Sequence, residues 1–150
     1  VYFGVASSVL ARYASSTNTS GSNTEVEAHT FSVNTNAANG YTVTARGSTL
    51  TSASGTIAAI GAVATTSFVG TEQFGIRLSA TGGSGTSTSP YNGGGFAYNA
   101  TATTSSQVAS ASVGDDTTTT FSVRYLVNIS AMTTAASYTT SIVYVAAANF

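Results

Sequence analysis

From Thr118 to Ser130 every second position in the centre of the segment is apolar: Phe121, Val123, Tyr125, Val127 and Ile129. A period of two sends these side chains to one side of an extended backbone, whereas a helix would scatter them around its axis. The same period returns in Gln73–Ala80, where Phe74, Ile76, Leu78 and Ala80 alternate with Gln73, Arg77 and Ser79. It returns again in Tyr41, Val43 and Ala45, and in Ile142, Tyr144 and Ala146 of the segment Tyr138–Ala148. Asn39-Gly40 and Arg46-Gly47 are turn dipeptides, and a hairpin between Tyr41–Ala45 and the preceding strand is the simplest expectation.

About seven strands divided by polar turns predict an all-β fold, an antiparallel β-sandwich of the Ig-like or jelly-roll-like kind. Thr and Ser make up about a third of the chain, and β-branched Thr suits a pleated, half-exposed surface. In Glu25–Asn34, Val26 and Ala28 share one phase and Phe31 and Val33 the other, which predicts a bulge near His29 or two short strands. Thr56–Ala64 is weakly amphipathic and is read as a strand. Thr81–Gly95 reads as the longest loop.

The solubilising groups of this chain are not charges. Only 6% of residues are Asp, Glu, Lys or Arg and the net charge is −1, where roughly a quarter charged is usual. So sparse a charge cannot build the positive field that a phosphate backbone requires, which argues against nucleic acid as a partner. With no Cys, neither a disulfide framework nor a thiolate metal site is expected. No apolar run is long enough for a transmembrane helix. The chain starts at Val1, which is read as the mark of a removed signal segment and hence of a secreted protein.

Nothing in the sequence assembles a catalytic centre. His29 is the only histidine, with no second His and no Cys to share a metal or form a nucleophile–base pair. Glu25, Glu27, Glu72, Asp115 and Asp116 are the acidic residues. Glu25 and Glu27 fall on one face of one strand, which suits a solvated edge and not a pair facing across a cleft. Asp115-Asp116 follows Gly114 and reads as a turn, with weak Ca²⁺ binding as the alternative. The glycines of Gly82–Gly85 and Gly93–Gly95 lack the context of a phosphate cradle. The expectation is a non-enzyme without cofactor or metal. Three sequons, at Asn18, Asn99 and Asn128, are candidate glycosylation positions on a charge-poor surface.

The N-terminus is the sharpest feature. If Val1–Tyr13 is extended, Val1, Phe3, Val5, Val9, Ala11 and Tyr13 share a face, with Ser7 the exception. A polar stretch without large apolar residues follows, of linker composition. The domain division expected is therefore a detached strand over residues 1–14, a Ser/Thr/Asn linker over 15–24 and a β-sandwich over 25–150. A sandwich that lacks one strand can accept it from another copy, and head-to-tail acceptance does not close. The groove walls are expected in Phe121–Ser130 and Tyr138–Ala148, with return of the strand to its own domain as the competing arrangement.

The strings NGYTVTAR (39–46), GTEQFGIRL (70–78) and FSVRYLVNISAMTTAASYTTSIVYVAAANF (121–150) resemble secreted Thr/Ala-rich β-sandwich domains common in candidate-phyla bacteria. The N-terminal extension is similar in plan to subunits of donor-strand extracellular fibres such as chaperone–usher pilins, although it lacks their usual cysteine pair. It also lacks the long apolar N-terminal helix of type IV pilins. These resemblances imply an extracellular, pilus-like filament subunit at the cell surface, partnered by copies of itself in a helical assembly and carrying covalent glycans. The alternative expectation is a surface adhesin or carbohydrate-binding module that uses Tyr91, Phe96 and Tyr98 as its contact patch.

Overall fold

A computed structural model describes residues 1–114 and 116–150. Its strands, in chain order, are β1 (Arg12–Tyr13), β2 (His29–Val33), β3 (Tyr41–Arg46), β4 (Thr51–Ser52), β5 (Gly55–Thr56), β6 (Gly61–Thr65), β7 (Gln73–Thr81), β8 (Thr86–Ser87), β9 (Phe96–Tyr98), β10 (Ser106–Ala111), β11 (Thr119–Asn128) and β12 (Val143–Ala148). The all-β expectation holds, and the architecture is a β-sandwich. One sheet runs β1-β11-β7-β9-β6, with β2 also on β11; the other runs β12-β3-β10-β8; β4 and β5 form a small ribbon.

The two segments with the clearest alternation form the central ladder. β7 and β11 pair antiparallel from Gln73↔Asn128 to Thr81↔Thr120. Their inward residues Phe74, Ile76, Leu78, Phe121, Val123, Tyr125 and Val127 are buried and meet Tyr41, Val43, Ala45 and Val108 of the other sheet in one core. Placing two long strands side by side satisfies their backbone groups and leaves two apolar faces that only a second sheet can cover.

Three local expectations are corrected. β2 and β3 do not form a hairpin: β2 pairs with β11 and β3 with β10 and β12. Phe31 and Val33 face the inter-sheet space from one sheet while Tyr41 and Val43 face it from the other, so the Asn39-Gly40 turn carries the chain between sheets. Thr56–Ala64 is interrupted, ending β5 and starting β6 at Gly61, where a φ of 110° suits glycine alone. Thr81–Gly95 contains β8 and a buried Tyr91.

Candidate assembly site

Residues 1–15 do not form one continuous strand. Bridges Ser7↔Leu10 and Tyr2↔Ser15 keep a single antiparallel register, so the segment doubles back through a turn at Ser8-Val9 into an irregular hairpin. Its second limb is β1, laddered on β11 through Arg12↔Val127 and Tyr13↔Leu126. Doubling back separates side chains that an extended strand would align. Phe3 enters the space between the sheets, edge-on to Phe74 at 6.4 Å. Ala11 and Tyr13 instead pack on the outer face of their sheet with Leu126 and Phe96, the Tyr13 and Phe96 rings 6.0 Å apart. Val1, Val5 and Val9 are 56%, 89% and 82% exposed. Of the six residues expected on one buried face, Phe3 alone reaches the inter-sheet core.

The stretch expected as a free linker is folded against this hairpin. Ala14 and Ser15 are buried. Ser15 Oγ accepts hydrogen bonds from the backbone N–H of Asn18 at 3.1 Å and of Thr17 at 3.3 Å, and Asn18 Oδ1 accepts from Ser20 N at 2.9 Å. Short polar side chains closing local turns explain why a linker-like composition can be ordered.

The middle of the hairpin is wedged open. In its register Gly4 would face Tyr13, but Tyr13 instead exchanges both backbone hydrogen bonds with Ser22, at 2.9 Å each. The first limb crosses residues 20–21 at van der Waals limits. A Cβ on Gly4 would collide with the Ser20 carbonyl, and one on Gly21 with the Phe3 carbonyl. Both glycines are left-handed, with φ of 69° and 65°, a conformation that costs other residues roughly 1–2 kcal/mol. Arg12 ties the crossing: its Nε donates to Phe3 O at 3.1 Å, and its terminal nitrogens donate to Ser20 O and Asn23 Oδ1. Gly4, Gly21 and Arg12 were not legible as site residues, although an isolated glycine inside an alternating strand is a signal of close backbone approach.

Two cavities flank Phe3. The larger, about 740 Å³, is bounded by Val1–Gly4, His29, Phe74, Tyr125, Ile142 and Tyr144 among others. The smaller, about 390 Å³, is bounded by Phe3–Ala6, Ile57, Val127, Ile129 and residues 133–138. Parts of both segments expected as groove walls thus line this space; β11 is ladder-paired on both sides, whereas β12 pairs with β3 on one side and lies at the edge of its sheet. His29 Nε2 and Tyr125 Oη are 2.8 Å apart, and Tyr125 Oη lies 2.9 Å from Tyr144 Oη. Burial pushes the Tyr125 hydroxyl up to about 12 and Tyr144 well above its usual value. Burial also lowers the His29 pKa, against a raising backbone hydrogen bond at Thr30, and the nearby α-amino group adds to the lowering. All three side chains are held neutral near pH 7.

Other candidate residues fall elsewhere. Tyr91, Phe96 and Tyr98 are 0%, 4% and 0% exposed, which corrects their assignment as a contact patch. Tyr91 donates toward Ser106 Oγ at 2.8 Å and Tyr98 donates to Gly47 O at 2.7 Å, so these rings pin loops to the core. Asn128 is 1% exposed and hydrogen-bonded to Ser67 Oγ at 2.9 Å and to the Gln73 side chain at 2.8 Å. The folded chain cannot present it to a glycosyltransferase, whereas Asn18 and Asn99 are exposed. Glu25 is no free edge carboxylate: it pairs with Arg77, and Arg124 Nε lies 3.4 Å away. Asp115, half of the candidate Ca²⁺ turn, lies outside the described residues.

Among the described residues no three His, Cys, Asp or Glu side chains are grouped to hold a metal ion, and no helix is long and apolar enough to cross a membrane. Comparison with protein-family models, curated proteins and solved structures finds no match.

Proposed function

We propose that this chain is a structural subunit of an extracellular filament, assembled head to tail by donation of its N-terminal segment to a neighbouring copy. One observation carries the reading: an apolar segment occupies a groove between the sheets through Phe3 alone, with cavities on both sides and with Val1, Val5 and Val9 left in water. Exposed apolar side chains beside unfilled space are surfaces that a neighbouring copy can cover once the segment has joined two subunits. Full burial contributes about 1.5–3 kcal/mol for each valine-sized or larger side chain. A surface of Thr, Ser and Asn, no cysteine and few charges suit a secreted coat, and exposed Asn18 and Asn99 are the positions for covalent glycans. No catalytic step belongs to this function.

Removing residues 1–6 tests it while leaving β1 on β11. Negative-stain electron microscopy is expected to show filaments of the intact chain and none of the truncated one. Equal filaments from both chains would overturn donation, as would monomers from both.

A further inference from the structure

The hairpin is closed by a crossing that only glycines permit, and nothing in that crossing requires its two sides to come from one chain. We infer that the acceptor site for the donated segment is the same seat that the segment now occupies in its own subunit, so that assembly is an exchange of residues 1–6 between copies. This rests on the donation reading and adds where the segment lands and what recognises it.

The seat has three parts: the backbone of Ser15, which pairs with Tyr2 through hydrogen bonds of 2.8 and 2.9 Å; the Ser20–Gly21 backbone with the Arg12 guanidinium, which together take Phe3 O and Gly4; and the inter-sheet space that receives the Phe3 ring. Its occupant must carry an aromatic side chain followed by a glycine able to adopt a positive φ, a pattern that a second copy supplies. The hinge is the Ser7–Leu10 turn, where Val9 stands in water. Opening that turn costs few contacts and lets residues 1–6 leave as one piece. Because each seat is refilled by a different chain and each freed segment fills another seat, the exchange propagates as an open chain of subunits.

The absence of native cysteine makes the test clean. Tyr2 and Ser15 are a bridged antiparallel pair, within the roughly 4.4–6.8 Å Cα range that a disulfide spans. One chain carries Tyr2→Cys and another Ser15→Cys; the two are mixed, assembled and oxidised, then run on a non-reducing gel. Exchange predicts a disulfide-linked heterodimer of the two variants. The Tyr2→Cys/Ser15→Cys double variant then gives a covalent ladder from assembled material and an internal disulfide from unassembled monomer. Adding Gly21→Ala is expected to remove the cross-link, since the new Cβ obstructs Phe3 O from whichever chain supplies it.

Filaments that require residues 1–6 but show no cross-link between the single variants would place the donated segment in another groove. That result overturns the shared seat and leaves donation standing. Filaments that persist without residues 1–6, or a chain that never assembles, overturn both.

Discussion

Truncating Phe3 to alanine measures how firmly the segment is held in its own subunit. The ring is half-buried, edge-on to Phe74 at 6.4 Å. Half of the burial energy of a phenylalanine, itself about 1.5–3 kcal/mol, plus about 0.5–1 kcal/mol for the edge-on ring pair, gives about 2 kcal/mol. A large cavity penalty is not added, because the groove beside the ring is already open and the segment is free to shift. Two kcal/mol corresponds to an increase of about 30-fold in the detached fraction. Trypsin reads that fraction: cutting after Arg12 requires the hairpin and β1 to leave β11, and at low protease the rate follows the open population. Phe3→Ala is therefore expected to release residues 1–12 about 30-fold faster while cleavage of the remaining domain is unchanged. An unchanged release rate would refute Phe3 as the anchor. Faster cleavage throughout the chain would refute the segment as a separately detachable unit.

Three further outcomes follow from the geometry. Tyr98→Phe removes a buried hydroxyl that donates to Gly47 O at 2.7 Å, and is expected to cost about 1–2 kcal/mol, or about 2–8 °C in Tm by calorimetry. Glu25→Gln leaves Arg77 and Arg124 directly opposed across β7 and β11; since these side chains are about a quarter exposed, the loss in a denaturant titration is expected to be about 0.5–1 kcal/mol at low salt and smaller in high salt. The folded His29 pKa lies below its unfolded value of 6.5, so the unfolded chain binds a proton first. This contribution to stability is present above pH 6.5 and is lost as pH falls from there toward the lowered folded value. His29→Gln is expected to flatten that part of the pH–stability curve, and an unchanged slope would assign it to other groups.

Alternation alone determined the sandwich. In β7 and β11 the period of two runs unbroken, and burying one face of each strand admits few arrangements, so both strands and their inward residues were legible directly from the chain. The same pattern misled at Val1–Tyr13, where Ser7 interrupts the period just before the chain turns back at Ser8-Val9. An isolated N-terminal strand has no neighbouring element in sequence to fix its register, and the close crossing of Gly4 with Gly21 is a backbone-to-backbone contact that hydrophobic pattern does not encode. Tyr91, Phe96, Tyr98 and Asn128 were misplaced for a related reason: aromatic rings and amides occur in loops and in cores alike, and only three-dimensional packing decides whether a hydroxyl or amide meets water or a buried carbonyl. Residues 15–24 have the polar composition of a linker, yet Ser15, Asn18 and Ser22 use that polarity to close turns. Period determined which of the long strands this protein forms. Tertiary structure decided where the N-terminal segment lies, because its position depends on contacts between residues far apart in the chain and on the space left between two sheets.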